Sequence, residues 1–218
     1  MDAAPGGLND FLADICTDAN LGGESSVALL SEGPAPSHTG IPHTRTVITP
    51  VKDCPPGFDG AGYGRVIKFE QPQTLRGLVR KIVSRLGPLA GVSVATPQYI
   101  PRDDLEMPIS SIGICAGSGG SMFGDLDVDL LFTGELSHHE ALAAIENDRA
   151  VVTAFHSNTE RKYLEARMKQ KLEEQIRKVC EEMEEDEMRD ELAVDFEVAV
   201  SKVDRDPYVI MHAGMPGW

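Results

Sequence analysis

The sequence predicts an α/β fold, in which strands and helices pack in layers. Short apolar segments alternate along the chain with segments whose apolar residues recur at helical spacing, a pattern typical of α/β domains. The 218 residues are 41% hydrophobic and 25% charged. This balance supports a packed core and excludes collagen-like, coiled-coil and wholly disordered chains. No run of about 18 apolar residues occurs, so we expect no membrane-spanning helix and no membrane partner.

The spacing of apolar residues predicts the elements of the first half. Apolar residues between Leu8 and Ile15 recur at helical spacing and predict a helix over 7–15. The segment TLRGLVRKIVSRL places its apolar residues on one face, so an amphipathic helix is expected over 74–86. Predicted strands cover 44–51, 65–70 and 91–96, and a loop rich in Gly, Ser and Pro covers 20–43.

In the second half of the chain, predicted strands and helices alternate at shorter intervals. Predicted strands cover 111–115, 128–133, 150–155 and 194–203, and predicted helices cover 137–147 and 157 to about 190. Apolar residues at steps of four and three along the last helix predict a buried stripe, made of Leu164, Met168, Leu172, Ile176, Val179 and Met183.

Charge and length limit the function classes. The chain carries 35 acidic and 20 basic side chains, a formal charge of −15, which argues against direct binding of nucleic-acid phosphates. Eight acids and one arginine fall within 181–191. We therefore expect one α/β domain over 1–218 with an acidic helical extension over 165–191.

The N-terminus has no secretory or transit pattern, so the expected location is the cytoplasm, with the nucleus and mitochondrion as further compartments.

A histidine and a glutamate follow one predicted strand at a spacing of four. In VVTAFHSNTE, His156 and Glu160 lie one helical turn apart, so both side chains face the same way, as metal ligands require. The same residues fit a capping box, in which Glu160 bonds back to the N–H of Ser157 and is not available to a metal. The spacing alone leaves both interpretations open.

A second group of polar residues lies where another predicted strand ends. In LFTGELSHHE, Glu135, His138 and His139 fall in the crevice outside the carboxyl end of a strand, where open α/β sheets bind ligands. Two adjacent histidines cannot both point inward, so at most one is expected to reach a site as a catalytic group. The alternative is a solvent-facing pair.

A glycine-rich turn follows a third strand. Gly117, Ser118, Gly119 and Gly120 permit a close backbone approach, and their N–H groups are a candidate anion nest. The turn lacks the lysine of a P-loop, and tight turns of this composition are common without any ligand.

Taken together, several segments resemble the Nif-three-like family (NGG-one-interacting factor three), also described as GTP cyclohydrolase I type 2-like. The matching pieces are MDAAPGGLNDFLA, GAGYGRVIKFEQPQTLRGLV, GICAGSGGSMF, DVDLLFTGELSHHEAL, VVTAFHSNTERKYL and VSKVDRDP. The resemblance implies an α/β fold with a mixed sheet and flanking helices, a two-metal site in a central cavity, and toroidal homo-oligomers. It makes His156 and Glu160 metal ligands, and Asp2 the bridging aspartate.

This sequence departs from the family pattern at its start. The family supplies further ligands from an earlier histidine pair, whereas here Met1 directly precedes Asp2. The chain resembles the C-terminal two thirds of a family member, with the N-terminal part of the core missing. We expect an incomplete two-metal cluster, with single-metal binding as the simpler outcome. The nitrogen and oxygen donors admit Zn, Fe, Mn, Co or Ni without choosing among them.

Three functional hypotheses follow. In the first, the protein is a metal-dependent hydrolase of a nucleotide or phosphorylated small molecule, with His138 or His139 as proton shuttle and 117–120 as an anion cradle. In the second, it is a non-catalytic interaction or regulatory protein that binds a transcription-related protein partner, and the acidic helix end over 181–191 contacts a basic partner. In the third, it is an inactive, shortened form of a family member.

Overall fold

A computed structural model describes residues 1–19, 40–87, 89–101, 104–182 and 196–211. Most of the predicted loop over 20–43 and the end of the acidic extension lie outside these ranges. No helix within the described ranges is long and apolar enough to cross a membrane.

Six strands form one mixed sheet, as the predicted fold class requires. They are β1 (His43–Pro50), β2 (Gly62–Thr74), β3 (Ser93–Ala95), β4 (Pro108–Ser118), β5 (Leu130–Glu135) and β6 (Ala150–Thr153). Their order in the sheet is β1-β2-β4-β5-β6-β3. The central strands β4, β5 and β6 run parallel, and the remaining pairs are antiparallel. The carboxyl ends of the three parallel strands therefore meet at one edge of the sheet.

Two of the helices in the described ranges begin at a side-chain cap. The bounds are α1 (Leu8–Thr17), α2 (Leu75–Leu86), α3 (His138–Glu146), α4 (Asn158–Tyr163) and α5 (Lys169–Glu182), with a π-helical turn over Leu164–Met168 joining the last two. The Thr74 hydroxyl accepts a hydrogen bond from the Gly77 N–H and caps α2. Ser137 and Glu140 form a capping box at the start of α3.

Apolar side chains pack on both faces of the sheet. On one face, α1, α2 and α4 cover a core that contains Phe11, Leu78 and Phe132, each 2% exposed or less. On the other face, a smaller cluster around Phe123 and Leu131 packs against α3. The sheet is buried on both sides in its parallel part, which explains why β5 and β6 read as continuous apolar runs.

A buried ion network fixes α1 against the sheet. Arg65 is fully buried and bonds Asp10 through two parallel hydrogen bonds of 2.8 and 2.7 Å. Arg45 links Asp10 to Asp14, at 3.2 and 2.6 Å, and Arg167 bonds the other oxygen of Asp14 at 2.5 Å. Each charge is therefore paired inside the protein, as burial demands.

Two expectations are corrected by the structure. The stripe on the last helix is not buried throughout, because Leu172 is 45% and Val179 55% exposed. Met183 lies outside the described residues. The predicted strand over 194–203 is absent between residues 196 and 203, where no ladder forms. Its alternating pattern has the period of a strand, but a strand also needs a neighbour with free backbone groups.

Candidate functional site

The three parallel strands bring polar residues together at their carboxyl ends. Gly117 is the penultimate residue of β4, Glu135 ends β5, and His156 follows β6 by three residues. Open α/β sheets bind ligands in this crevice. The order of strands in the sheet thus brings close together three segments that are separate candidates in the sequence.

Glu135, His156 and Glu160 form the polar centre of this edge. His156 Nδ1 lies 3.0 Å from Glu135 Oε1, and His156 Nε2 lies 3.5 Å from Glu160 Oε1. The three side chains are about half exposed, at 51%, 53% and 42% for His156, Glu135 and Glu160. An Nδ1–H tautomer donates to Glu135 and directs the Nε2 lone pair towards Glu160. Metal-binding histidines are typically oriented in this way, by a carboxylate behind the ring.

The alternative capping box at Ser157 does not form. Ser157 makes no side-chain cap to α4, and its hydroxyl instead donates to Asp206 Oδ2 at 2.5 Å. Glu160 consequently faces His156 rather than the Ser157 N–H. The structure favours the side-chain pairing over the capping interpretation.

Close backbone packing holds in place the segments that carry these side chains. A Cβ on Gly134 would lie 2.7 Å from the Gly117 carbonyl oxygen and 2.9 Å from the His156 Cα, so only glycine fits between these segments. The buried hydroxyl of Thr133 donates to the Gly117 carbonyl, and the Gly117 N–H donates to the Thr159 hydroxyl, both at 2.9 Å. These contacts fix β4, β5 and the start of α4 relative to one another.

Backbone strain turns the chain immediately before His156. Phe155 has a φ of 66°, in the left-handed region that bulky side chains rarely occupy. Such a conformation costs of order 1–3 kcal/mol and is found mainly at functional sites, where surrounding contacts impose it. Here it directs the chain from β6 into α4 and presents His156 at the edge of the sheet.

The surroundings of His156 favour its charged form. The hydrogen bond with Glu135 raises the pKa of the imidazole; partial burial opposes this shift, and the charge of Glu160 adds to it. A metal ion needs the neutral imidazole, so metal binding would compete with protonation.

A cavity of about 500 Å³ opens beside His156. Glu135, Leu136 and Phe155 line it from the sheet side, and Asp206, Pro207 and Tyr208 line it from the C-terminal segment. Its volume falls within the range of small-molecule sites.

Comparison with known proteins identifies the family. The profile of Duf34/NIF3 (NGG1p interacting factor 3) matches residues 1–191. The chain belongs to the Duf34/NIF3 family. It is 35% identical over 211 residues to the "Protein NIF3 homolog" of Schizosaccharomyces pombe, covering 97% of this chain and 61% of that protein. It is 34% identical to "NGG1-interacting factor 3" of Saccharomyces cerevisiae, covering 70% of this chain and 46% of that protein.

A solved structure related to NIF3 shares the fold. The Bacillus cereus protein related to NIF3 superposes with a TM-score of 0.51 at 16% identity, over 69% of this chain and 36% of that protein. The family resemblance expected from the motifs is thus confirmed, as is the α/β fold. The chain spans about 61% of the length of the S. pombe relative and 46% of that of the S. cerevisiae relative.

The expected NIF3 ligands are brought together only in part. His156 and Glu160 face each other, but no group of three or more His, Cys, Asp or Glu side chains in the described ranges is arranged to hold a metal ion. Asp2 lies near the end of β4: the Asn9 amide donates to its carbonyl and accepts from the Ala116 N–H. Burial, and to a smaller extent the negative charge of Asp2, raises the pKa of the nearby Cys115 thiol to about 11. Asp2 as a third ligand remains a prediction.

The paired histidines lie outside the cavity lining. Both His138 and His139 are exposed at the start of α3, and their rings contact each other at 5.6 Å between centroids. Glu135 instead makes the contact to His156 that sequence reasoning did not assign. The available signal was its position just after the strand predicted over 128–133, since residues that follow a parallel strand border the crevice.

The glycine-rich turn has a steric explanation. A Cβ on Gly117 would lie 3.0 Å from the His156 ring, and one on Gly119 would meet Phe123 and Thr133. Gly120 packs against the Glu140 carboxylate, a group that repels anions. Anion binding by Gly117, Ser118, Gly119 and Gly120 stays a prediction, and the geometry gives it no added support.

Proposed function

We propose that this chain binds a divalent metal through His156 and Glu160 and acts as a metal-dependent hydrolase of a nucleotide or phosphorylated small molecule. The observation that carries the proposal is the donor pair itself, with Glu135 behind the imidazole. Family membership and the adjacent cavity support it. The metal class is Zn, Fe, Mn, Co or Ni, because the donors are one imidazole nitrogen and one carboxylate oxygen.

The donor pair fits a metal in spacing and in chemistry. Two ligands each roughly 2.1 Å from a tetrahedral cation lie about 3.4 Å apart. The separation of His156 Nε2 and Glu160 Oε1 is 3.5 Å. A third protein donor is expected from Asp2, whose backbone Asn9 anchors to the end of β4.

The roles of this chain's groups follow from their positions. When bound, a divalent cation supplies Lewis-acid chemistry that lowers the pKa of water. Glu135 accepts a hydrogen bond from the Nδ1–H of His156 and so holds the ring in one orientation.

Metal analysis of variants tests the proposal. His156→Ala and Glu160→Ala should each reduce bound metal at least tenfold, measured by mass spectrometry of the purified protein after equilibration with Zn²⁺ or Mn²⁺. The matched control Glu146→Ala removes an exposed carboxylate at the end of α3 and should leave metal content unchanged. Equal metal content in all four proteins would exclude the proposed site.

A second function is favoured by the exposed apolar residues of α5. Leu172 and Val179 are half exposed on one helix, and the S. cerevisiae relative is named for an interaction with NGG1. We propose as the alternative that this face docks a transcription-related protein. Leu172→Ser with Val179→Ser should abolish capture of purified S. cerevisiae NGG1 without changing metal content. Capture that survives the double change would reject this face.

A further inference from the structure

Two helices of the described ranges begin at the same Ser-x-x-Glu spacing, and the two starts differ in structure. At α3, the Ser137 N–H donates to the Glu140 carboxylate at 2.7 Å, and the Glu140 N–H donates to the Ser137 hydroxyl at 3.3 Å. At α4, Ser157 makes no side-chain cap, and Glu160 Oε1 lies 3.5 Å from His156 Nε2. Both sequences satisfy the spacing of a capping box. The spacing therefore does not explain the difference, and its cause lies outside the helix start.

The backbone of the two serines differs in one dihedral angle. The N-cap residue of a helix normally has an extended backbone, and Ser137 has a φ of −68° and a ψ of 161°. Ser157 has a similar φ of −70°, but its ψ of −19° is helical. Rotation about the ψ of Ser157 is therefore the main local change that a capping box at α4 would require.

Asp206 interacts with the groups of Ser157 that a capping box would use. The Ser157 hydroxyl donates to Asp206 Oδ2 at 2.5 Å. This hydroxyl is the main group that lowers the pKa of Asp206; burial opposes the shift, and the N–H of Ser157 is among the further groups that lower it. At α3 the corresponding N–H stabilises the carboxylate of Glu140. Asp206 thus takes the place at Ser157 that Glu160 would occupy in a box.

The C-terminal segment holds the Asp206 carboxylate in this position. The Tyr208 N–H donates to Asp206 Oδ1 at 2.9 Å, so the second oxygen of the carboxylate is also fixed. Two residues earlier, Asp204 accepts a hydrogen bond of 2.8 Å from Arg161 Nε on α4. The segment is therefore attached to α4 on both sides of Ser157 and Glu160.

The start of α4 is also held by bonds that do not involve Asp206. The Thr159 hydroxyl accepts from the Gly117 N–H at 2.9 Å and donates to the His156 carbonyl at 2.7 Å. The Asn158 side chain donates to the Ala154 carbonyl at 2.9 Å. Removal of the Asp206 carboxylate should consequently leave α4 folded and change only the partners of Ser157.

We propose that Asp206 is a positioning residue for the metal pair: it replaces Glu160 as the partner of Ser157 and so leaves Glu160 free to face His156. The inference rests on the proposed function for the role of His156 and Glu160 as ligands. It adds that the C-terminal segment, rather than α4 itself, sets the orientation of Glu160.

Crystal structures of the metal-free full chain test the positioning directly. In Asp206→Ala, the Glu160 carboxylate should turn to the Ser157 N–H, and the ψ of Ser157 should become extended, as at Ser137. Asp206→Asn keeps an acceptor oxygen for Ser157 and should retain Glu160 beside His156. A Glu160 side chain that still faces His156 in Asp206→Ala would overturn the inference.

Competition titration with Zn²⁺ measures the consequence for binding. Asp206→Ala should weaken Zn²⁺ binding about fivefold relative to Asp206→Asn, the factor that corresponds to a typical N-cap contribution. These two variants lose the same charge, so their difference reports the hydrogen bonds. Adding Ser157→Ala to Asp206→Ala should restore the affinity of Asp206→Asn, because alanine is a poor N-cap and does not accept from the Glu160 N–H. Glu197→Ala, which removes an exposed carboxylate from the same segment, is the matched control and should bind Zn²⁺ as the unmodified chain does.

The double variant distinguishes positioning from a general structural role. If Asp206 only stabilised the fold, the second substitution would leave Zn²⁺ binding as weak as in Asp206→Ala or weaken it further. That result, or equal Zn²⁺ affinities of Asp206→Ala and Asp206→Asn, would also overturn the inference.

The two kinds of measurement separate this inference from the proposed function. The metal-free structures report the orientation of Glu160 alone, and the effect of His156→Ala on Zn²⁺ binding reports the metal site alone. If Glu160 turns in Asp206→Ala but the unmodified chain binds no Zn²⁺, the orienting role of Asp206 stands and the proposed function fails. Zn²⁺ binding that requires His156, together with an unmoved Glu160 in Asp206→Ala, gives the reverse.

Discussion

At the scale of the residue, Glu135 has a role distinct from that of a ligand. It contacts His156 Nδ1 at 3.0 Å, on the side of the ring away from Glu160. Carboxylates in this position typically account for a 10- to 100-fold difference in metal affinity. We therefore expect Glu135→Gln to weaken Zn²⁺ binding about 10- to 100-fold in a competition titration, while Glu146→Gln has no effect. Identical affinities of the two variants would show that Glu135 does not orient the ring.

Gly134 offers a second test at the same scale. A methyl group there would collide with the backbone of Gly117 and with the His156 Cα, neither of which is free to move. Gly134→Ala should lower the free energy of unfolding by about 1–3 kcal/mol, the usual cost of overpacking. Gly124→Ala is the matched control, since nothing lies within 4 Å of its Cβ position. Urea denaturation compares the two, and a tolerated Gly134→Ala would contradict the close packing.

Residue identities predict local geometry better than they predict distant partners. The pairing of His156 and Glu160 was visible in the sequence because a spacing of four favours side chains on the same side of the chain, although α4 itself begins only at Asn158. Its competitor, the capping box, was equally consistent with that spacing. Only the position of Asp206, 49 residues from Ser157, decides between them, because the serine hydroxyl bonds there instead. No local pattern carries that information.

At the scale of the element, caps and amphipathic faces were predictable and burial was less so. The caps of α2 and α3 are local features, because each uses side chains within four residues of the helix start. The stripe on the last helix has the correct period, yet Leu172 and Val179 remain exposed. Periodicity identifies the apolar face of a helix, but it does not show whether another element covers that face.

This difference between period and burial predicts unequal mutational costs. Leu78 on α2 is fully buried, whereas Leu172 on α5 is 45% exposed. Leu78→Ala should therefore cost about 2–5 kcal/mol of the free energy of unfolding, and Leu172→Ala less than about 1 kcal/mol. Urea denaturation of the two matched variants measures the difference. A cost for Leu172→Ala as large as that for Leu78→Ala would mean that α5 is covered in solution, for example by a second copy of the chain.

At the scale of the whole molecule, three arginines and two aspartates hold distant segments together. Arg45 and Arg65 come from neighbouring strands, Arg167 from the π-helical turn, and Asp10 and Asp14 from α1. The sequence does not reveal this network, since Arg167 and Asp14 are 153 residues apart. Arg65 also donates to the carbonyls of Gly62 and Gly64, so its removal would leave several buried acceptors unpaired.

The network makes stability depend on acid in a predictable direction. Burial alone would raise the pKa of Asp10, but hydrogen bonds and charges from Arg65 and Arg45 outweigh it and lower the pKa below 3.8. Ionised Asp10 therefore contributes stability above its ordinary pKa, and this contribution is lost as the pH falls through the lowered value.

Arg65→Met should cost about 3–5 kcal/mol at pH 7, because it leaves a buried carboxylate poorly paired. It should also reduce the loss of stability as the pH falls below the ordinary Asp pKa, since Asp10 then protonates at a higher pH. Urea denaturation across this range, with exposed Arg80→Met as control, measures both effects. Equal stability of the two variants at pH 7 would show that the network does not hold α1 against the sheet.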